Sequence, residues 1–272
     1  MITVVLIIIS LVILYLVSIM PRMTKRPDYK PLKGWYYAHR GLHDNASNAP
    51  ENTMEAFKKA VNAGFGIEFD VQLTKDRVPV VFHDETLQRV CGVDGKLRDY
   101  TWEQLQGFLI CNSREKIPRL NDVLKMVNGR VPLIVEIKIH ENVGKVCSEV
   151  DKVLKEYWGV YCIESFHPLA VNWYKNHRPK VIRGQLSSDF SKMKKDVKTE
   201  EKLLQHLLTN FICKPDFIAY EHLYKSNFSR ILCKYVYRSL SVAWTIKSQE
   251  ELDANKKDFD LFIFEGFIPK RK

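Results

Sequence analysis

Short apolar runs alternate with amphipathic segments along most of this 272-residue chain. The runs predicted as strands are residues 36–40, 66–73, 132–138, 161–166, 181–186, 217–221, 241–246 and 261–265. Helical patterns separate them near residues 53–63, 120–128, 142–157, 168–176, 198–211, 226–237 and 248–257. The first helix has a start signal, with Asn52 as its cap and Glu55 as the reciprocal partner. The alternation predicts an α/β fold whose parallel sheet closes as a (β/α)8 TIM-type barrel, and an open doubly wound sheet is the alternative.

One strand-like run breaks this alternation. Residues 78–84 follow the strand at 66–73 after a connection too short for a crossover helix, so the two should form an antiparallel β-hairpin. A turn centred on residues 75–76 would place Glu68 opposite His83, and a shift of one residue would undo that pairing. The polar residues 85–117 that follow are expected to form a small insertion over one side of the barrel mouth.

The first apolar run is long enough to cross a membrane. Residues 2–20 carry no charge, and as a helix at 1.5 Å per residue they would span roughly 28 Å. A cleaved signal peptide and a buried core helix are the alternatives, but no Lys or Arg precedes residue 22, and the run does not end in the small residues of a cleavage site. We predict a single transmembrane helix at residues 1–21, a basic linker at 22–35 and a globular domain at 36–272.

The charge pattern bears on orientation and on partners. The basic residues of the linker are Arg22, Lys25, Arg26, Lys30 and Lys33. By the positive-inside rule they place the domain on the cytoplasmic side of the cell membrane, and six cysteines without a C-x-x-C pair also favour a reducing compartment. The net charge of +10 raises the possibility of nucleic-acid binding, but no basic stripe is interleaved with aromatic residues. We therefore expect a membrane partner and no nucleic acid.

Carboxylates occur at strand spacing in two of the predicted strands. Glu68 and Asp70 lie two residues apart and share one face, and Glu136 and Lys138 repeat this arrangement. Alone, an E-x-D pair is typical of a half-exposed strand. Three carboxylates directed into a barrel lumen, however, need protons or a cation, and Mg²⁺ and Ca²⁺ prefer such oxygen ligands.

A histidine and an arginine end the first strand, where active sites of barrels lie. His39 can exchange a proton near neutral pH, and Arg40 can bind a phosphate through two parallel hydrogen bonds. An adjacent His-Arg pair by itself is more often surface decoration. Gly41, which follows it, indicates an unusual turn or a close backbone approach.

The motifs A-H-R-G at 38–41, P-E-N-T at 50–53, E-x-D at 68–70, H-D at 83–84 and E-I-K at 136–138 occur in this order. From about Tyr36 to Pro269, the chain resembles the bacterial, membrane-anchored type of the glycerophosphodiester phosphodiesterase family. The site residues that the resemblance implies are the acid–base pair His39 and His83, the ligands Glu68, Asp70 and Glu136 of one divalent cation, Mg²⁺ or Ca²⁺, and the phosphate-binding residues Arg40 and Lys138. Glu51 would contact the metal or support its ligands, and Phe166 and Trp244 would line the pocket.

The resemblance implies metal-dependent hydrolysis of a glycerophosphodiester to glycerol 3-phosphate and an alcohol. Attack by water and attack by the glycerol 2-hydroxyl both remain open at this point. One alternative is a phospholipase-type phosphodiesterase on the same barrel, acting on lysophospholipid or phosphatidylinositol. A catalytically silent, membrane-tethered binding protein is the other, and the complete set of histidines and carboxylates argues against it.

Two further features of the sequence stay outside this scheme. The remaining histidines lack partners in any motif and are expected to be surface or core residues: His43, His140, His167, His177, His206 and His222. The last strand ends in Phe264-Glu265-Gly266, which departs from the G-I-I-T run typical of the family. That departure leaves the floor of the pocket undefined.

Overall fold

A computed structural model describes residues 1–270, with the side chain of Met193 outside the description. The nine strands are β1 (Tyr36–His39), β2 (Gly66–Leu73), β3 (Pro79–Val81), β4 (Leu133–Ile137), β5 (Tyr161–Ser165), β6 (Ile182–Ser187), β7 (Phe217–Glu221), β8 (Leu240–Ile246) and β9 (Leu261–Phe264). All except β3 run parallel, and β1 pairs with both β2 and β9. The sheet is therefore closed. This confirms the predicted TIM-type barrel and excludes the alternative of an open doubly wound sheet.

Helices fill the connections and cover the outside of the barrel. The α-helices are α1 (Ile2–Ile19), α2 (Met54–Asn62), α3 (Gln88–Cys91), α4 (Trp102–Leu105), α5 (Leu120–Val127), α6 (Val143–Leu154), α7 (Pro168–His177), α8 (Phe190–Met193), α9 (Thr199–Gln205), α10 (Asn210–Cys213), α11 (Phe228–Ile231) and α12 (Gln249–Asn255). Short 3₁₀ turns cover Lys30–Leu32, Leu97–Asp99 and His222–Tyr224, and a π-helical turn covers Leu232–Val236. The helix predicted at 198–211 is divided into α9 and α10, because Leu207 between them has a left-handed φ of +56°.

The start of α2 differs from the prediction by one residue. Its cap is Thr53, whose Oγ1 accepts a hydrogen bond from the Ala56 N–H, so the prediction that Asn52 caps this helix is wrong. Asn52 instead has a φ of +57° and donates a 2.9 Å hydrogen bond from Nδ2 to Asp70 Oδ2. The tertiary contact with a buried carboxylate competes with the local cap and prevails.

The hairpin forms as predicted, but its register is shifted by one residue. Val71 lies opposite Val81, and the Phe82 N–H donates to the Asp70 carbonyl at 3.0 Å. The predicted opposition of Glu68 and His83 is therefore wrong. Because β3 ends at Val81, His83 lies beyond the ladder, and the alternation of strand faces does not fix its direction.

Side chains inside the barrel close its amino-terminal end and leave the other end polar. Tyr37, Ile134, Phe217 and Leu240 belong to the buried cluster in the lumen. Gly184 is required here, because a Cβ atom at this position would lie 2.0 Å from the Phe217 ring. With an apolar floor below, the polar residues at the carboxyl ends of the strands line a pocket rather than a channel.

The last turn of α1 and the following linker pack on the barrel. Ile19 is fully buried, and its carbonyl oxygen accepts a hydrogen bond from Asn210 Nδ2 at 2.8 Å. Arg22 Nη1 lies 3.3 Å from Asp216 Oδ1, and Leu32 is also fully buried. Residues 19–32 are thus part of the folded domain rather than a free tether.

Candidate active site

The three predicted metal ligands lie together at the carboxyl end of the barrel. Parallel pairing of β2 with β4 places Asp70 beside Glu136, and Glu68 stands one pleat below on the same face. All three side chains are buried, and one oxygen of each lies within 4.8 Å of the others. Burial and the neighbouring carboxylates raise the pKa of Glu68 well above its ordinary range, and burial also raises the pKa of Glu136.

Two cations stand beside these carboxylates. Lys138 Nζ is 2.7 Å from Glu136 Oε1 and 3.0 Å from Asp70 Oδ1. Arg40 Nε lies 3.5 Å from Asp70 Oδ2, and the Arg40 backbone N–H donates to Glu68 Oε2 at 3.2 Å. Burial raises the pKa of Asp70, but the charges of Lys138, His83 and Arg40 outweigh that effect and hold it well below its ordinary value.

The carboxylate cluster fits a hard divalent cation. Its donors are oxygens only, as Mg²⁺ and Ca²⁺ require, and they are close enough to share one ion. Burial first, and the neighbouring carboxylates second, raise the pKa values of Glu68 and Glu136, so their charged forms are disfavoured without a further positive charge. A bound cation would supply that charge.

His39 is oriented by a carboxylate that the sequence analysis did not assign. Its Nδ1 lies 2.5 Å from Glu265 Oε2, which directs Nε2 toward the cluster, 3.9 Å from Glu68 Oε2. Burial lowers the pKa of His39, and the hydrogen bond that His39 Nδ1 donates to Glu265 partly opposes that effect. His43 Nε2 also approaches Glu265 Oε2, at 3.9 Å. The sequence does contain a signal for Glu265, because closure of a barrel places the ends of its first and last strands side by side.

His83 belongs to a second chain of charged contacts, which leads through Asp84, Arg89 and Glu51 to Arg40. Its Nδ1 is 2.6 Å from Asp84 Oδ1, and Arg89 Nε is 2.6 Å from Asp84 Oδ2. Arg89, which lies in the insertion and was not predicted, also binds Glu51 through Nη2 at 2.6 Å. Burial raises the pKa of Glu51, but hydrogen bonding to Arg89 and the charge of Arg40 lower it to about 2. Glu51 is thus engaged by two arginines, Arg40 and Arg89.

Two aromatic residues and an unassigned acid lie on the same strands or directly after them. Phe166 and Trp244, which were predicted to line the pocket, meet edge to face with ring centroids 5.6 Å apart. Glu164 on β5 lies beside Glu136 on β4 and is almost fully buried. Burial and the charge of Glu136 raise its pKa well above the ordinary range, which favours the neutral form of this carboxyl.

Comparison with known proteins agrees with the fold and the motifs. The Glycerophosphoryl diester phosphodiesterase family profile matches residues 39–256. A glycerophosphodiester phosphodiesterase from Bacillus altitudinis is 33% identical over 165 residues, which cover 56% of this chain and 66% of the relative. Another from Caldanaerobacter subterraneus subsp. tengcongensis is 37% identical over 136 residues, covering 46% of this chain and 54% of that protein. The aligned segments thus span about half to two thirds of these relatives.

A solved structure shows the same architecture. A phosphodiesterase from Oleispira antarctica, determined in complex with the product sn-glycerol 3-phosphate, superposes with a TM-score of 0.69 at 22% identity. The match covers 86% of this chain and 93% of the other. At this identity the structure bears on the fold, whereas the family match covers most of the barrel and its motifs. The chain belongs to the glycerophosphoryl diester phosphodiesterase family.

Proposed function

We propose that this protein hydrolyses glycerophosphodiesters to glycerol 3-phosphate and an alcohol. The observation that carries the proposal is that two histidines, each held by a carboxylate, lie beside a buried carboxylate cluster: His39 Nε2 is 3.9 Å from Glu68 Oε2, and the charge of His83 lowers the pKa of Asp70. This arrangement provides a base and an acid beside a site that can hold a cation and a phosphate. A catalytically silent binding protein would not need both histidines to be oriented in this way.

Glu68, Asp70 and Glu136 hold one divalent cation, Mg²⁺ or Ca²⁺. When bound, it supplies electrostatic stabilisation for negative charge on the phosphoryl oxygens. Arg40 and Lys138 stand at the rim of the cluster, where their charges bind and orient the phosphate of the diester. Glu51 keeps Arg40 in place through a 2.7 Å ion pair.

The two histidines move the protons. Because burial lowers the pKa of His39, its imidazole is neutral near pH 7 and can accept a proton at Nε2 from the attacking oxygen. That oxygen belongs either to water or to the glycerol 2-hydroxyl, and both need a base at this position. His83, paired with Asp84, donates a proton to the leaving alkoxide. Such a proton transfer typically contributes about 10²–10⁴-fold to the rate.

The assay uses the full chain in lipid nanodiscs, because Ile19 and Leu32 are buried and a truncated domain would lose their packing. The probe is glycerophosphocholine, with release of glycerol 3-phosphate as the readout in the presence of Mg²⁺ or Ca²⁺. His39→Ala and His83→Ala should each lose at least about 100-fold in rate while keeping the melting temperature. His177→Ala, which alters an exposed histidine stacked on Trp173, is the matched control. Near-normal turnover in either active-site variant would contradict the assignment.

Helix α1 anchors the barrel in a membrane as a single span. It is uncharged, 18 residues long, and almost none of it is buried against the protein. A signal sequence has the same length and composition, so the anchor is tested by finding the intact N-terminus in the mature membrane-bound protein. The cytoplasmic location of the barrel stays a prediction from the flanking charges. In the fold, Arg22 and Arg26 bind Asp216 and the carbonyls of Tyr237 and Arg238, and are thus partly occupied by the domain itself.

A further inference from the structure

Helix α1 runs along the barrel in a direction that its contacts define. The hydroxyls of Tyr15 and Ser229 are hydrogen-bonded at 2.8 Å, and one turn later the Ile19 carbonyl accepts from Cys233 Sγ at 3.3 Å. Between these two contacts both segments advance by four residues in the same direction, from Tyr15 to Ile19 and from Ser229 to Cys233. Helix α1 is therefore parallel to the helical segment 228–236. That segment descends from the carboxyl end of β7 to the amino end of β8. The part of α1 before Tyr15 therefore projects beyond the carboxyl end of the barrel, where the active site lies.

The projecting part of α1 is shorter than a membrane. The thirteen residues Ile2–Leu14 form a helix of about 20 Å, whereas a hydrocarbon core is about 30 Å thick. If α1 spans the bilayer, the carboxyl end of the barrel must lie within the interfacial layer. Leu223 and Phe228, in the connection after β7, are each 64% exposed at this end. Apolar side chains exposed on the surface from which α1 projects suit contact with lipid.

An apolar groove leads from this surface to the catalytic cluster. A cavity of about 490 Å³ lies at the carboxyl ends of β4 and β5 under α9. Glu136 and Lys138 form its inner wall, and the exposed Leu169 and Leu203 are among its outer residues. This volume is that of a small-molecule site and suits one hydrocarbon chain rather than two.

The groove opens on the same side of the barrel as the membrane helix. Asn227, which caps α11, donates from Nδ2 to the Gln205 carbonyl at the end of α9, at 3.2 Å. The helix α9 that covers the groove is thus adjacent to the segment on which α1 packs. The groove, which reaches Glu136 and Lys138, thus lies beside the surface from which α1 projects.

We infer that the barrel mouth docks on the bilayer and that the groove at Leu169 and Leu203 binds the single acyl chain of a lysophospholipid-type phosphodiester. The inference rests on the proposed function for the reaction itself. Water adds across the bond between phosphorus and the alcohol oxygen, its hydroxyl remains on phosphorus, and its proton goes to the leaving alkoxide. The products are an acylated glycerol 3-phosphate and the free alcohol.

The groove is tested with the full chain in phosphatidylcholine nanodiscs. The probes are glycerophosphocholine and its hexanoyl, octanoyl and decanoyl monoesters, each below its micelle concentration. For the wild type, kcat/KM should rise about fourfold for each added methylene, as expected for a chain leaving water. Leu169→Gln/Leu203→Gln should flatten this rise and change the rate with glycerophosphocholine by less than about twofold. Val160→Gln, a partly exposed position at the amino end of the barrel, should keep the wild-type slope.

The docked face is tested independently of turnover. Phe228→Trp and Val160→Trp are placed in nanodiscs that contain brominated lipid, and the added fluorescence is compared with that of the wild type. We expect quenching of the tryptophan at 228 and none at 160. Equal quenching at both positions, or a chain-length dependence unchanged by the leucine substitutions, would overturn the inference. Loss of turnover on every diester would refute the proposed reaction instead, and the quenching result would still decide whether the mouth faces the membrane.

Discussion

The contact between His39 and Glu265 determines how well His39 can act as a base. The side chains of His39 and Glu265 are only 17% and 23% exposed. Water therefore has little access to replace their hydrogen bond when the Glu265 side chain is removed. A hydrogen bond to a charged group contributes about 1.5–3 kcal/mol. If that contact holds His39 in its reactive orientation, Glu265→Ala should lower kcat about 10- to 100-fold, since each 1.4 kcal/mol corresponds to about a factor of ten.

The same substitution should change the pH dependence in a defined direction. The carboxylate of Glu265 stabilises the protonated imidazole and so raises the pKa of His39 against the lowering effect of burial. Without that carboxylate, the pKa of His39 falls further. Because the neutral form accepts the proton, the ascending limb of kcat/KM against pH should move to lower pH in Glu265→Ala.

The assay is glycerophosphocholine hydrolysis by the full chain in nanodiscs, measured across pH. Glu265→Gln keeps an oxygen that can accept from His39 Nδ1, so it should retain more of the rate than Glu265→Ala. Lys247→Met is the matched control, because this exposed lysine lies 3.3 Å from the other oxygen of Glu265 and such pairs contribute little. A Glu265→Ala variant with wild-type kcat and an unmoved limb would refute the reasoning.

Three further substitutions test the charged groups of the site. Glu68→Gln should weaken Mg²⁺ or Ca²⁺ binding in a calorimetric titration and reduce turnover by about 100-fold or more; unchanged affinity would exclude it as a ligand. Lys138→Met removes the ion-pair partner of the buried Glu136 and one of the two cations beside Asp70, so unfolding without a divalent cation should need about 3–5 kcal/mol less free energy, and an unchanged denaturation midpoint would contradict this. The pKa of Glu51, lowered to about 2 from 4.5, means that its ion pairs stabilise the fold above pH 4.5. The difference in melting temperature between wild type and Glu51→Gln should therefore decrease as the pH falls toward 2. A difference that does not change with pH would contradict the stabilising role of these ion pairs.

The sequence predicted the barrel because apolar residues recur with a different period in its strands than in its helices. Glu68, Asp70 and Glu136 alternate with apolar residues, so a closed parallel sheet has to direct them into one lumen. The eight parallel strands lie within one residue of the predicted bounds, because the pattern of alternation is local information, whereas the antiparallel run predicted at 78–84 ends three residues early at Val81. The roles assigned to the site residues follow from the family resemblance and stay predictions until they are measured.

Non-local contacts account for what the sequence did not show. Asn52 and Thr53 are both good caps, and only the buried hydrogen bond of Asn52 to Asp70 distinguishes them. The contact of Glu265 with His39 forms only because the barrel closes. Arg89 contacts Glu51 from an insertion whose sequence has no periodic pattern that would predict its path. The apolar run at the start of the chain gave no sign that its last turn packs on the barrel.

The most direct test of the central claim is the metal dependence of product release. The full chain in nanodiscs is treated with EDTA, assayed with glycerophosphocholine, and assayed again after addition of Mg²⁺ or Ca²⁺. The buried cluster of Glu68, Asp70 and Glu136 predicts that chelation abolishes release of glycerol 3-phosphate and that one of the two cations restores it. Turnover that persists in EDTA at the original rate would contradict the account.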